Sequence, residues 1–332
     1  MKRERIVGIT DTEDLKRLIR SEIIEHGACV DLNHIDVSKV GRLNGLFEDT
    51  LFNGDVSNWN ITNAVTAIGL FKNCPFNGDI SKWNPKSLVI AESMFEGCVF
   101  NGDISKWKFK KLAHTTRMFH SSAFDRDISQ WSMGSVEFAE SMFQNSQFNG
   151  DISQWQTHHM KNMRSFFSGS RFDGNIAKWS IKRASQGDMY GMFINSEFSG
   201  DLSDWTIDIH ASGIHRMFDE HFRGVPPTPI QEPDRNFYIT MFGAAAKLSA
   251  YLKAVPFNTA HFDMCLSNTT RPVSVSKEDH KWFKGMAQLG LGLGMSTTQL
   301  RAQAIAECKK KSLPNLPAER VDFDIGELVT IA

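Results

Sequence analysis

Aspartates at one fixed position of a repeated phrase are the residues of this sequence best suited to bind a ligand directly. They are Asp55, Asp79, Asp103, Asp127, Asp151 and Asp201, with Asn175 in the remaining copy. A ladder of carboxylates can hold Ca²⁺, which takes about six to eight oxygen ligands. Each turn offers only one regular carboxylate, so the alternative is that each aspartate accepts hydrogen bonds from backbone N–H groups of its own turn. We favour the alternative, and we predict no metal and no cofactor.

Histidines are the other candidates for chemistry. His158 and His159 are adjacent, and His215 lies four residues before Asp219, a spacing that suits a metal or an acid–base pair. Neither an H-E-x-x-H nor a G-x-S-x-G motif accompanies them. Polar residues in variable parts of the repeats explain the histidines more simply. We therefore predict no catalytic residue, and the chain is not expected to be an enzyme.

The aspartates belong to the phrase Phe-Asn-Gly-Asp-Ile-Ser-x-Trp, which recurs with small changes at steps of 24 residues and one step of 26. The copies begin at Phe52, Phe76, Phe100, Phe124, Phe148, Phe172 and Phe198. A fixed period of this length is typical of a solenoid, in which each coil buries its apolar face against its neighbours. We predict an α/β fold, a leucine-rich-repeat-like solenoid of about eight coils.

Each coil is expected to contain one short strand and one short helix or 3₁₀ turn. Asp-Ile-Ser-x-Trp suggests the strand, and apolar residues from Leu88 to Phe95 have the spacing of a helix. Asn-Gly predicts a turn, because both residues tolerate positive φ. The tryptophans are predicted to stack between coils as a structural ladder rather than to bind a ligand. They are Trp59, Trp83, Trp107, Trp131, Trp155, Trp179 and Trp205.

One position of the phrase varies freely, between the serine and the tryptophan. In a strand this side chain points away from its buried neighbours, so the row faces solvent. We predict that a partner binds along it, although a merely soluble face explains the pattern equally well. The row consists of Asn58, Lys82, Lys106, Gln130, Gln154, Lys178 and Asp204.

The two ends of the solenoid set the domain boundaries. Thr12 suits the start of an amphipathic helix that Gly27 ends, which predicts an N-terminal capping helix within residues 1–29. The repeat solenoid then occupies 30–225. Four prolines within eight residues predict a stiff connector over 226–233. The remainder, 234–332, is predicted to be a mainly α-helical domain.

The C-terminal domain allows a helix-turn-helix interpretation. A helix near Trp282 and a second helix from about Thr297 flank the glycines Gly290, Gly292 and Gly294. The excess of basic residues after Pro226 is small, which makes nucleic acid an unlikely partner. DNA binding through these helices is therefore an alternative to our main hypothesis.

Composition bounds the location of the protein. The net charge is −1, and we find no signal peptide and no run of about 18 apolar residues that could span a membrane. The five cysteines form no C-x-x-C pair, and Cys74 and Cys98 stand where later coils carry serine. Free thiols fit a reducing compartment, so we expect a cytoplasmic protein with no membrane partner.

The phrase also resembles the repeats of BspA-type leucine-rich-repeat surface proteins of bacteria and the related mycoplasma lipoprotein repeat. The resemblance runs over about residues 11–224 and includes the Met-Phe pair that ends the variable stretch, as in Met94-Phe95. It implies a solenoid with a role in binding or adhesion. The C-terminal region resembles no family that we recognise.

Two classes of function follow from these observations. The first is an intracellular protein–protein interaction module, such as a phage or mobile-element protein that captures and blocks a host protein. The second is a surface or virion component with a structural or adhesive role. In the first case the C-terminal domain would be a second contact or an assembly module.

Overall fold

The computed structural model describes residues 4–186, 188–207, 212–219 and 222–229, together with residue 241. The chain divides into two compact units, Met1–Gln231 and Glu232–Ala332. Apart from Met241, the domain predicted over 234–332 lies outside the described residues, and so does its helix-turn-helix. No helix of the described residues is long and apolar enough to cross a membrane.

One long helix, α1, covers Thr12–His26 at the start of the first unit. Asp11 rather than Thr12 is its N-cap, because the Asp11 carboxylate accepts from the second and third N–H groups of the helix. The Thr12 hydroxyl instead donates to the Arg42 carbonyl at 2.8 Å. Gly27 ends the helix at φ 87°, a conformation that a glycine adopts without steric cost.

Successive repeats lie side by side in parallel, one period apart. Isolated β-bridges join the same position of neighbouring coils, and the bridged residues run Arg42, Thr66, Ile90, His114, Phe138, Asn162 and Asp188. Alternate N–H groups that follow each bridge donate to the next coil. Ala91 donates to the His114 carbonyl at 2.9 Å, and Phe95 donates to the Met118 carbonyl at 3.0 Å. Coils are therefore held to one another by main-chain bonds with a regular offset.

The local structure of a coil differs from the expected strand and short helix. Asp-Ile-Ser-x-Trp forms a turn, in which Trp83 N–H donates to the Ile80 carbonyl at 3.1 Å. The stretch before each Met-Phe pair is a series of turns, not a helix, because Ser93 has a positive φ of 54°. Residues with positive φ, such as Ser93, turn the backbone so that successive N–H groups donate alternately to a carbonyl of the same coil and to a carbonyl of the next coil.

The Asn-Gly pair also has a role that differs from the expected one. Asn77 N–H donates to the Asn53 side chain, and Asn101 N–H donates to the Asn77 side chain, both at 2.9 Å. Asp125 continues this side-chain ladder. The glycines of the phrase are not among those with positive φ. A Cβ on Gly102 would lie 2.8 Å from the Phe100 ring, so close packing of the ring against the backbone favours glycine there.

Aromatic columns fill the interior of the stack. Rings that begin the phrase stack at centroid distances of 6.0 Å for Phe52–Phe76 and 6.1 Å for Phe100–Phe124. Neighbouring tryptophans stack at 6.2 to 6.3 Å. All seven predicted tryptophans are at most 4% exposed, and each indole N–H donates to a carbonyl of the preceding coil at 2.9 to 3.1 Å. The tryptophan column is thus a core and a hydrogen-bonded ladder at once.

The step of 26 residues is accommodated without breaking these columns. A short helix, α2, covers Lys182–Gln186 in the variable stretch of the longer coil. Beyond it, Phe198 still stacks on Phe172 at 6.2 Å, and Trp205 still donates to the Ile176 carbonyl at 3.0 Å. The described residues then contain strand β1, Thr206–Ile207, a 3₁₀ turn over Ser212–Ile214, and strand β2, Thr228–Pro229, which pairs with β1 in parallel.

The tryptophan ladder leads to a prediction about stability. We expect Trp107→Ala to lower the free energy of unfolding by about 3–5 kcal/mol, as large core truncations do. The Ile80 carbonyl would also lose the indole donor that now lies 3.1 Å away. Urea unfolding followed by circular dichroism measures the change.

Lys106→Ala is the matched control, since Lys106 precedes Trp107 and is exposed. We expect it to change the free energy of unfolding by less than about 0.5 kcal/mol. Equal losses in the two variants would contradict the arrangement of the turn described above.

Candidate functional site

The aspartates of the phrase are occupied by their own turns. Asp79 accepts from Ser81 N–H and Asp103 accepts from Ser105 N–H, both at 2.9 Å. Asn175 makes the same bond to Ala177 N–H at 3.0 Å, although it carries no charge. Among the described residues, no group of three or more His, Cys, Asp or Glu side chains could hold a metal ion. The aspartates therefore make the contacts expected if each one accepts hydrogen bonds from backbone N–H groups of its own turn.

These turn hydrogen bonds change the acidity of the carboxyl groups. The pKa of Asp79 and the pKa of Asp151 lie below the usual value, chiefly because the carboxylate accepts the serine backbone N–H. The pKa of Asp103 is also lowered, first by the Ser105 side chain and then by its N–H. Each bond stabilises the ionised form, so the folded turn favours the carboxylate.

The variable row predicted as the partner surface is exposed in every coil. All seven of its side chains, from Asn58 to Asp204, lie on the surface. They occupy the corner of the turn and not a strand. Gln130 and Gln154 donate only to the neighbouring serine hydroxyls, at 3.3 and 3.1 Å. Lysine and glutamine dominate this row, and lysine is depleted at the centres of protein interfaces.

The candidate histidines His158, His159 and His215 do not form one cluster in the described residues. His158 and His159 pack edge to face at 4.4 Å. His215 stacks on Tyr190 at 5.9 Å, whereas the Asp219 carboxylate accepts from Asn195 N–H at 2.6 Å. The geometry thus gives each of them a packing or backbone contact.

A second surface follows the bridged residues, and we call it the ladder face. It comprises the bridged residues, the residue before each of them and the residue two positions after. The residues before run Val65, Val89, Ala113, Glu137 and Lys161. The residues two positions after run Ile68, Glu92, Thr116, Glu140, Arg164 and Tyr190. Sequence reasoning missed this face because it assigned the stretch to a helix, but aligning the coils by their period reveals its columns.

Apolar side chains are exposed on one half of the ladder face. Val65 is 44% exposed, and Ile68 and Phe138 are each 36% exposed. Val89 and Ile90 lie half-buried beside them, and Phe138 stacks on the His114 ring at 4.9 Å. Large apolar side chains that reach solvent in one contiguous strip are typical of interaction surfaces.

The other half of the ladder face is charged and aromatic. The Arg164 guanidinium lies 4.7 Å from the centre of the Tyr190 ring, and the guanidinium of Arg216, a residue of the following coil outside the ladder face, lies 5.8 Å from it. Asp188 is 3.5 Å from Arg164, and its carboxylate accepts the Tyr190 N–H at 2.8 Å. Arginine and tyrosine side chains are those most often found at binding hot spots.

Beside the ladder face, charged side chains of neighbouring coils pair with one another. Arg117 donates to both carboxylate oxygens of Glu96, at 2.9 and 2.5 Å. Burial opposes ionisation of Glu96, but the Arg117 hydrogen bond and charge outweigh it and lower the pKa of that carboxyl. Burial, and then the Arg117 charge, lowers the pKa of His120. This pair therefore stabilises the contact between coils and leaves little charge to offer a ligand.

The buried cysteines have a structural environment. Cys74 Sγ donates to the Phe52 carbonyl at 3.0 Å, and Cys98 Sγ donates to the Phe76 carbonyl at 3.4 Å. Cys29, Cys74 and Cys98 are all free thiols. Cys74 and Cys98 are buried, whereas Cys29 is exposed. Burial raises the pKa of Cys74, and it raises the pKa of Cys98 to about 12. Burial and the raised pKa both disfavour the thiolate, so we expect neither buried thiol to react readily at neutral pH.

Comparison with known proteins places the repeats in a described family. A family model described as "Mycoplasma protein of unknown function, DUF285" matches residues 20–131 and 120–223, which together cover more than half of the chain. No curated protein and no solved structure matches the chain.

The lowered carboxyl pKa values predict a loss of stability in acid. Their contribution is present above the unfolded-state pKa of about 3.9 and disappears as the pH falls through the lower folded-state values. We expect the free energy of unfolding in urea to fall between about pH 5 and about pH 3. The triple variant Asp79→Asn, Asp103→Asn, Asp151→Asn keeps the acceptor, as Asn175 does, and should show a shallower fall.

Asp204→Asn is the control, because it makes the same chemical change at an exposed position of the variable row. It should leave the pH dependence as it is in the parent protein. A triple variant with the parent's pH dependence would show that these turns do not cause the acid sensitivity.

The cysteine environments predict selective labelling. With Cys29, Cys265 and Cys308 changed to serine, the remaining two thiols should resist a disulfide reagent such as dithionitrobenzoate at mildly alkaline pH. Both should react once denaturant unfolds the chain, because burial and the raised pKa then disappear. The converse variant, which keeps Cys29 and changes the other four cysteines to serine, should react without denaturant. Labelling of the first variant faster than its unfolding would contradict the buried geometry.

Proposed function

The chain belongs to the DUF285 family, and from this premise we propose that its repeats form a solenoid that binds another protein through the ladder face. The observation that carries the proposal is the exposure of Val65, Ile68 and Phe138 on one face of the stack, where Phe138 lies three coils beyond the other two. Aliphatic and aromatic side chains contribute binding energy when a partner removes them from water. Bonds to neighbouring coils fix the backbone of these residues, so little backbone freedom is lost on binding.

The variety of side chains in the columns of the ladder face supports its assignment as the binding surface. Position by position, the ladder face carries valine, alanine, glutamate and lysine in one column, and isoleucine, histidine, phenylalanine and asparagine in another. Backbone bonds between coils persist whatever the side chain is, since Val89 and Lys161 both donate their N–H groups to the preceding coil at 2.8 Å. Packing does not dictate these side chains, which leaves them open to selection for a partner.

The same proposal includes a resemblance to BspA-type proteins and a location inside the cell. The repeat phrase resembles BspA-type proteins, for which binding or adhesion is the expected role. The free, hydrogen-bonded thiols Cys74 and Cys98 support a reducing compartment. We therefore propose an intracellular interaction module, of the kind that a phage or mobile element uses to capture a host protein.

A capture experiment with two matched variants tests the surface. The ladder variant carries Val65→Glu, Ile68→Glu and Phe138→Asn, residues that the same columns hold elsewhere as Glu137, Glu92 and Asn162. The row variant carries Lys82→Glu, Lys106→Glu and Lys178→Glu. Both should fold, because every changed side chain is at least partly exposed.

We expect the immobilised parent protein and the row variant to capture the same protein from a host lysate, as judged by mass spectrometry. The ladder variant should capture at least about tenfold less of it, which corresponds to about 1.4 kcal/mol of binding free energy. Loss of capture in the row variant alone would place the partner on the variable row. Full capture by both variants would shift the binding site to residues 234–332.

A further inference from the structure

We propose that the ladder face binds an extended, acidic segment of its protein partner, with an apolar side chain of the segment beside Phe138 and a carboxylate beside Arg164 and Arg216. This inference rests on the proposed function, whose binding surface it shares. It adds the chemistry of the partner and the spacing of the two recognised groups.

The first step is the change of character along the columns. Apolar residues Val65 and Val89 are followed at the same position by Glu137 and Lys161. In the parallel column Ile68 is followed three and four coils later by Glu140 and Arg164. One end of the face therefore offers apolar surface, whereas the other offers charge, and a segment lying along the stack would meet both.

The second step is the charge that remains after internal pairing. Two carboxylates of the face already have partners within it. The Lys161 ammonium lies 2.5 Å from a Glu137 carboxylate oxygen, and the Asn162 side-chain amide donates to the Glu140 carboxylate at 3.1 Å. The Tyr190 cluster contains two guanidiniums, those of Arg164 and Arg216, against the single Asp188 carboxylate, so its net charge is 2 − 1 = +1.

The third step concerns which anion fits. A guanidinium that lies over an aromatic ring keeps its N–H groups directed outward, where they can donate to a carboxylate in pairs. Nucleic acid is a poorer candidate, because it carries a phosphate at every step and would place charges beside Glu92 and Glu140, whereas a protein segment can carry its carboxylate only where it meets Arg164 and Arg216. The charge complementarity favours carboxylates carried by a protein segment.

The fourth step is the spacing. Neighbouring coils joined by main-chain bonds are separated by about 4.8 Å, so Phe138 and Tyr190, two coils apart, are about 10 Å from each other along the stack. An extended chain advances about 3.3 Å per residue. The apolar side chain and the carboxylate of the bound segment should therefore be about three residues apart.

Selection from a random peptide library tests this inference on the full-length protein. Twelve-residue peptides displayed on phage would be panned against the immobilised chain and sequenced. We expect enrichment of peptides with an aliphatic or aromatic residue about three positions from Asp or Glu, the spacing of an extended chain along two coils. The variant Arg164→Glu with Arg216→Glu should lose at least about tenfold of their binding, since reversed charges add repulsion to the lost contact.

The matched control is Lys106→Glu with Lys178→Glu, which changes the net charge equally but lies on the variable row. It should bind the selected peptides as the parent does. Circular dichroism and the melting temperature show which variants are folded. The variant Arg164→Gln with Arg216→Gln should lose an intermediate amount of peptide binding, because it removes the positive charges without adding repulsion.

Three outcomes would overturn the inference: no enriched peptide, enriched peptides without acidic residues at this spacing, or displacement of the peptides by single-stranded DNA. The proposed function would survive each of them if the ladder variant still lost capture of a folded protein from lysate. Conversely, an intact capture by the ladder variant would overturn the proposed function itself.

Discussion

The indole N–H of each tryptophan must meet a carbonyl of the coil before it, and the rest of the stack depends on this bond. Each indole is buried, so without this bond its N–H would lack a partner, at a cost of about 1–3 kcal/mol. Trp107 reaches the Ile80 carbonyl only if the two coils keep the same offset at this turn. The stacked phenylalanines and the Asn53–Asn77 contact require the same offset. A period of 24 residues satisfies all three columns together.

This constraint also explains where variation is permitted. Loss of a phenylalanine or tryptophan ring leaves a gap in its column, and loss of the acceptor at the turn aspartate leaves an unpaired N–H group, which Asn175 avoids by keeping the acceptor. Positions on the ladder face contribute the same backbone bonds to the stack in each coil, whereas their side chains change from coil to coil. The part of each coil that bonds most regularly to its neighbours is therefore also the part whose side chains are free to recognise a partner.

Sequence and structure agree to different degrees at different positions. The repeat and its period could be read directly, and burial of the phenylalanine and tryptophan columns follows from identical side chains one period apart. The turn was mistaken for a strand, although its buried residues Ile80 and Trp83 are three positions apart, which does not fit the period of two in a strand. The asparagine ladder could not be predicted, because it arises from contacts between coils and not within one. The columns of the ladder face are visible in the aligned coils, but the assignment of that stretch to a helix hid their exposure.

The helix α2 shows how such a chain can change its length. Two additional residues in the coil that contains Lys182–Gln186 leave the aromatic and indole contacts on either side intact. Whole coils meet their neighbours through the same contacts at nearly every junction, so deleting or duplicating 24 residues would recreate a junction that already exists. The coil is thus a unit of inheritance: recombination between repeats can lengthen or shorten the protein, and exchange ladder-face residues, without redesign of its core.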